Sequence, residues 1–362
     1  MTKKEIQEVI VKKIQQTTSE EEFLNILKIV APGTKIRKAI NGILNGGMGA
    51  LIVIQNERLF PLMDGGFKIN TKFTPQRMIE LGKMDGAIIL SHNLKRIEYA
   101  NVLLTPNNSI KSEETGTRHK AGERTTKQVG TLVIAISERK NEITLFYKDK
   151  RHILKSTEEI FSYVNRYIRI IERHREIFDK LLIELNKSEI ILSFNINLAI
   201  QIIQKGKIIE KIAREIKRPI IELGKDGNFL NLHLKELILN IEKETNLIIK
   251  DYTAKSFRKS KKMINELNYE ELLEKEKILK SLYHEKITNK IHIKGWRLLS
   301  KMELSDQEIA KIFKEGTKLK DVLYNKDLNL IKIIDQEKYD FFTKNLKKLM
   351  KDNVSLNEPA RI

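Results

Sequence analysis

The sequence predicts an α+β multidomain protein: a mixed α/β domain over residues 1–154, a helical spine over 155–290 and a helical domain over 291–362. Three observations carry that prediction. Between residues 49 and 147, short apolar runs are punctuated by glycine, asparagine and proline, the pattern of strands and turns. From residue 156 onward, apolar residues recur at helical spacing over long stretches. Beyond residue 291 the helical pieces become short.

The elements follow in order. Ile6, Ile10, Ile14, Phe23, Ile26 and Leu27 recur at helical spacing with a break at Thr17-Thr18-Ser19, which predicts two helices. Strands are predicted over residues 50–54, 87–90, 100–104, 132–136 and 143–147, with helices over 74–81 and 121–128 between them. Ser156 with Glu159 three positions on forms a capping box that opens a long helix. Its apolar stripe is Phe161, Val164, Ile168, Ile171, Phe178, Leu182 and Leu185. Helical periodicity resumes over 190–216 and 230–249, broken by Pro219 and the turn from Gly224 to Gly227, and a charged helical stretch covers 255–282.

Composition narrows the class. A chain of 362 residues with 41% hydrophobic content is a globular protein with room for several cores. No run approaches 18 uncharged apolar residues and the amino end has no leader-like apolar segment, so no membrane partner is expected. The absence of cysteine excludes disulfides and thiolate metal sites and fits a cytoplasmic protein. The seven histidines show no H-E-x-x-H spacing, so a histidine-bound zinc is not expected. A net charge of +19 is spread along the chain; a nucleic-acid surface and an ordinary lysine-rich composition account for it equally well.

Two short stretches carry the chemistry. Asp85-Gly86-Ala87 places one carboxylate and two small residues at the entrance to an apolar strand. Gly116-Thr117-Arg118-His119-Lys120, followed by Ala121-Gly122-Glu123-Arg124, offers a hydroxyl, a guanidinium, an imidazole and an ammonium to one anion. No G-x-x-x-x-G-K-[ST] occurs, so a P-loop is excluded. Alone, Asp85 reads as a turn aspartate. Beside the second stretch it reads as part of a nucleotide site.

The pair resembles the DGA and RHR motifs of the diadenylate cyclase (DAC) family. Pro32-Gly33-Thr34, Gly47-Met48-Gly49-Ala50, Ala100-Asn101-Val102-Leu103-Leu104 and the segment 130–139 extend the likeness, as does Leu223-Gly224-Lys225-Asp226-Gly227 beyond the first domain. The resemblance implies condensation of two ATP into cyclic di-AMP and two diphosphates. It assigns catalytic roles to Asp85, Arg118 and His119, with Asp85 also the ligand of Mg2+ or Mn2+. It places Gly86, Ala87, Leu104, Thr117, Lys120 and Ala121 against ATP, with Ser137 and Arg139 completing the site from the next strand. Gly86 is expected to let the nucleotide approach the backbone. Leu104 reads either as a neighbour of adenine or as a plain core residue. Lys120 stands where the family has a second arginine, keeping the charge and losing the bidentate fork, and Ala121-Gly122 is a smaller, looser pair than usual.

The family's layout further implies a homo-octamer and a tandem helix-hairpin-helix domain over 291–362. Acidic residues stand where hairpin glycines belong: Glu303 and Asp306 in the first hairpin, Asp335 and Glu337 in the second. Any DNA binding, branched or not, is therefore expected to be weak, non-specific and carried by Lys344, Lys347 and Lys348. Two other readings remain open at this level: a DNA-structure-binding protein with a vestigial cyclase, and a sensor that binds nucleotide without turning it over.

Overall fold

The computed structural model of the chain describes residues 20–283, 293–314, 319–324 and 334–354, with side chains through residue 347. Two compact units are formed. The first comprises residues 1–165 and 216–232, the second residues 166–215 and 233–362.

The first unit is built on an eight-stranded sheet. Its elements run α1 (Glu20–Ile29), α2 (Lys35–Asn45), β1 (Ala50–Ile54), β2 (Met63–Asp64), β3 (Phe67–Lys72), α3 (Pro75–Leu81), β4 (Ala87–Leu90), β5 (Arg96–Leu104), α4 (Thr117–Val129), β6 (Leu132–Ser137), β7 (Glu142–Tyr147) and β8 (Lys150–Leu154). The strand order is β2-β5-β4-β1-β6-β7-β8, with β3 also paired to β5. β1 runs parallel to β4, with Leu51 opposite Ala87, and antiparallel to β6, with Ala50 opposite Ile136.

Both faces of this sheet are covered, so its central strands read as continuous apolar runs rather than alternating ones. On one face Ile52, Ile54, Ile88, Leu90, Ile134 and Ile136 pack with Phe23, Leu27, Ile40, Ile43 and Met78 from α1, α2 and α3. On the other, Leu51, Val53, Ala87, Ile89, Val102, Leu104, Val133, Ala135 and Phe146 pack with Val129 of α4. All five residues of β1 are buried.

Several expectations need correction. α4 starts at Thr117, four residues before the predicted position, because its first turn is polar and gives no periodic apolar signal. α2, β2, β3 and β8 were not anticipated. In α2, lysines and a glycine dilute the apolar face, although Thr34 caps it by accepting the N–H of Arg37. The amino-terminal helix predicted before Thr17 lies outside the described residues.

The remaining helices are α5 (Thr157–Ile190), α6 (Ile196–Glu222), α7 (Asn228–Leu237), α8 (Ile241–Tyr252), α9 (Phe257–Glu266), α10 (Tyr269–Leu273), α11 (Lys275–Leu282), α12 (Trp296–Ser300), α13 (Asp306–Lys314), α14 (Leu319–Tyr324) and α15 (Gln336–Val354). The capping box of α5 forms in both directions between Ser156 and Glu159. Phe161 is off its buried stripe at 42% exposure, and Ile160 takes the inward position instead. Pro219 does not break α6. It stands in the last turn, where the missing N–H removes one hydrogen bond and the helix runs on to Glu222. The stretch 230–249 divides at Asn240, whose φ of 62° is left-handed, and 255–282 is three short helices rather than one.

In the second unit, buried charges tie three helices together. Arg297 of α12, fully buried, donates to Glu189 at 2.6 Å and Asn186 at 2.7 Å on α5. Asp251 of α8 accepts the N–H groups of Trp296 (2.7 Å) and Arg297 (2.9 Å), capping α12. Glu303 occupies a left-handed turn (φ 61°) between α12 and α13, and Gln336 to Tyr339 form the first turn of α15. Lys344 and Lys347 are exposed on α15, whereas the side chain of Lys348 lies outside the described residues.

Candidate nucleotide-binding site

Register brings the two motifs to one end of the sheet. Ala87 opens β4 beside Leu51 of β1, and Ile136 near the end of β6 lies opposite Ala50. Val102 of β5 lies opposite Ala87, so Leu104 lies at the Asp85 end. α4 packs over the same strands and ends near the start of β6, where Thr126 donates its hydroxyl to the carbonyl of Thr131. Its first turn, Thr117 to Lys120, therefore lies at the end of the sheet that carries Asp85, Gly49 and Ser137.

Glycines set this geometry. Gly122 lets α4 approach the sheet: a Cβ there would come within 3.1 Å of Leu51 and 3.2 Å of Val133. Gly122 is thus closely packed against the sheet, whereas Ala121 is half-buried. Gly49 leaves room for Arg118, whose guanidinium Nη1 occupies the space a Cβ would take. The fold itself requires a glycine at Gly86: its φ is +84°, and a Cβ would meet the main chain of Asn101 at 2.7 Å. The bulge in β5 around Asn101 (φ 54°) is what fills that space.

The loop from β5 to α4 is pinned along the helix. The buried Glu123 carboxylate accepts from the Ser112 hydroxyl, the Glu113 N–H and Lys127. Arg124 donates to the Ile110 carbonyl at 3.0 Å, and Gln128 accepts the N–H of Asn107 at 2.8 Å. Burial pushes the Glu123 carboxyl up, but its Lys127 and Ser112 partners outweigh that and hold it below the usual range. Glu114, also buried, pairs with Arg151 of β8. Sequence reasoning gave Glu123, Glu114 and Gly49 no positioning role; the run Gly47-Met48-Gly49 was the one available signal.

Asp85 is exposed and makes no hydrogen bond or ion pair among the described residues, and Arg118 and Lys120 have no carboxylate partner there. The α4 N-cap is Gly116, without a side-chain cap and without an acidic residue in the first turn, so the leading N–H groups point to solvent. His119 packs edge-on to Phe146, ring centres 6.3 Å apart, and burial lowers its pKa, with nearby Lys140 and Arg118 adding to the effect against Glu114. Neutral imidazole therefore prevails at neutral pH. Leu104 is buried in the α4-side core. Ser137 caps the following turn by accepting the N–H of Lys140, and Arg139 is exposed in that turn.

No group of three or more histidine or acidic side chains that could hold a metal is present among the described residues. An unpaired lone carboxylate suits Mg2+ or Mn2+ whose other ligands are phosphate oxygens and water.

A sheet end with an uncapped helix N-terminus and, among the described residues, cations without a carboxylate partner is suited to an anion, and family comparison gives the class. Residues 37–151 match the DAC family model, described as the DisA bacterial checkpoint controller nucleotide-binding region. Residues 154–291 match the DisA bacterial checkpoint controller linker region. The chain belongs to the DisA family. It is 35% identical over 345 residues to the DNA integrity scanning protein DisA of Clostridium acetobutylicum, covering 92% of this chain and 96% of the relative. The Acetivibrio thermocellus protein of the same name is 37% identical over 291 residues, 78% of this chain and 81% of that one. No helix among the described residues is long and apolar enough to cross a membrane.

Proposed function

We propose that the chain is a diadenylate cyclase that condenses two ATP into cyclic di-AMP and two diphosphates. The observation that carries the reading is the convergence, at one sheet end, of the unpaired Asp85 with the uncapped first turn of α4. In each of two equivalent steps the 3′-oxygen of one ATP forms a bond to the α-phosphorus of the other. The bond from that phosphorus to the β-phosphate bridge breaks, diphosphate leaves, and the 3′-hydroxyl proton passes to Asp85 or solvent.

Arg118, Lys120 and the N–H groups of α4 offset charge on the phosphates, and Thr117 and His119 donate to phosphate oxygens. The main chain at Ala87 and Leu104, whose side chains are buried, bounds the adenosine side, with Ala121, Ser137 and Arg139 at the margin. Asp85 would hold Mg2+ or Mn2+, which would supply offsetting positive charge to the phosphates. One domain holds one nucleotide while the product is two-fold symmetric, so two domains face each other, and the family's octamer is the assembly we assign. A cytoplasmic location fits a cysteine-free consumer of ATP.

For the region beyond residue 291 we assign at most weak, non-specific DNA contact through exposed Lys344 and Lys347 together with Lys348. Glu303 in the left-handed turn and the helical Gln336 to Tyr339 leave no glycine hairpin at either described position.

The test is incubation of the purified chain with ATP and Mn2+ and mass spectrometry of the products. Cyclic di-AMP is expected from the wild type and none from Asp85→Asn, which keeps the fold but loses a metal ligand and proton acceptor. Wild-type turnover by that variant would refute the assignment of Asp85. Bound ATP without product would favour the sensor reading.

A further inference from the structure

The turn between α6 and α7 and the turn between α1 and α2 are motif-bearing segments that the cyclase reading leaves unused. They meet within the first unit around a cavity of about 410 Å3. We propose that this cavity binds a phosphorylated nucleoside, of the size of a nucleoside monophosphate, separately from the cyclase site.

The walls are preformed by glycine contacts. Gly224, with φ +58°, lies so close to the first turn that a Cβ would stand 2.8 Å from the Ala31 Cβ and 3.1 Å from the Pro32 carbonyl. A cavity built on such backbone contacts is held in place before any ligand arrives. Its floor is apolar, formed by Ala31, Pro32, Ile220 and Ile221. That surface suits the face of a heteroaromatic ring, and the volume falls in the range of small-molecule sites.

The polar groups on the rim are one-sided. Lys28 and Lys225 both line the cavity, and no carboxylate does. Lys225 makes no hydrogen bond or ion pair among the described residues, and Lys28 spends one donor on Asn25 at 3.0 Å. Asp226, next to Lys225 in sequence, is not part of the lining, and Glu222 is turned to His152, whose Nε2 lies 3.2 Å from both carboxylate oxygens. Two lysines without a counter-ion select an anion such as phosphate. Asn228 and Asn231 add two amides, each both donor and acceptor, which match the edge of a base better than a second charge.

The cavity is independent of Asp85 and α4, so its failure would leave the cyclase reading untouched. The test uses equilibrium dialysis of labelled AMP against the full-length Arg118→Ala chain, whose cyclase site is weakened. One AMP per chain is expected. Adding Lys28→Glu and Lys225→Glu should weaken that binding at least tenfold, while the same two changes in an otherwise wild-type chain leave cyclic di-AMP synthesis intact. Inorganic phosphate should displace AMP only at concentrations at least tenfold higher than AMP itself requires. Should the charge reversals unfold the chain, Asn231→Leu gives a second readout, with a several-fold weaker AMP affinity expected. Binding unchanged by these substitutions, binding lost entirely with Arg118→Ala, or equal displacement by inorganic phosphate would each overturn the proposal.

Discussion

The guanidinium of Arg118 occupies the space into which a side chain on Gly49 would project. One residue precedes the central strand and the other sits in the first turn of α4, so the sheet itself dictates where the cation stands.

Gly49→Ala is expected to displace Arg118 without unfolding the domain. The φ of Gly49 is not left-handed, the nearest backbone atom to a Cβ is the Ile136 carbonyl at 3.3 Å, and the worst contact is the end of a flexible side chain. Stability should change by no more than about 1 kcal/mol. Cyclic di-AMP synthesis should fall about 10- to 100-fold, the cost of a misplaced phosphate ligand. Thermal denaturation and turnover measured on the same preparation check both halves, and wild-type turnover would contradict the role given to Arg118.

Gly86→Ala should act on the fold instead. A left-handed φ alone costs an L-residue about 1–3 kcal/mol, and the Asn101 main chain adds a clash that cannot relax through a side chain. A large drop in melting temperature is expected, where Asp85→Asn next door leaves it unchanged. Equal melting temperatures for the wild type and Gly86→Ala would show that the bulge in β5 yields easily.

Legibility in the sequence followed signal strength. β1 and β4 were readable to the residue because both sheet faces are covered and their runs are wholly apolar. β3 was not: Phe67–Lys72 has exposed lysines and pairs only with β5. The motif positions were readable as chemistry, whereas their place in a helical turn was not, since Thr117 to Lys120 contain no apolar residue. The duties of Gly49, Gly86 and Glu123 depend on contacts between segments far apart in sequence, which no local pattern encodes.

ATP affinity should depend on pH through His119. Burial lowers the imidazole pKa in the free protein, and a phosphate placed beside the ring raises it again. Binding then takes up a proton, so affinity should increase as the pH falls from above the bound value toward the free one. Dialysis of ATP between pH 8 and pH 6 should show that slope in the wild type and a flatter profile in His119→Gln. Identical slopes would remove His119 from the phosphate contacts.

Arg297→Ala should be among the most damaging substitutions in the second unit. It leaves the buried Glu189 carboxylate unpaired, at a cost of about 3–5 kcal/mol. Combining Arg297→Met with Glu189→Leu should recover most of the loss, because both buried charges are then removed together. Chemical denaturation of the single and double variants decides the matter; a mild single effect would mean that the Asp251 cap and the Lys301–Asn186 hydrogen bond hold α12 unaided.

The register of β1 also bears on how the protein comes into being. The bonds that pin the 105–116 loop to α4 link residues close in sequence and can form early. The pairing of Ala50 with Ile136 closes a far longer stretch of chain, and without it Gly49 has no Arg118 beside it. Contacts of that kind are slow to form. A chain emerging from synthesis therefore has the parts of the proposed phosphate site well before the site itself, and recovery of nucleotide binding on refolding should track the slowest step of sheet closure rather than the appearance of helix.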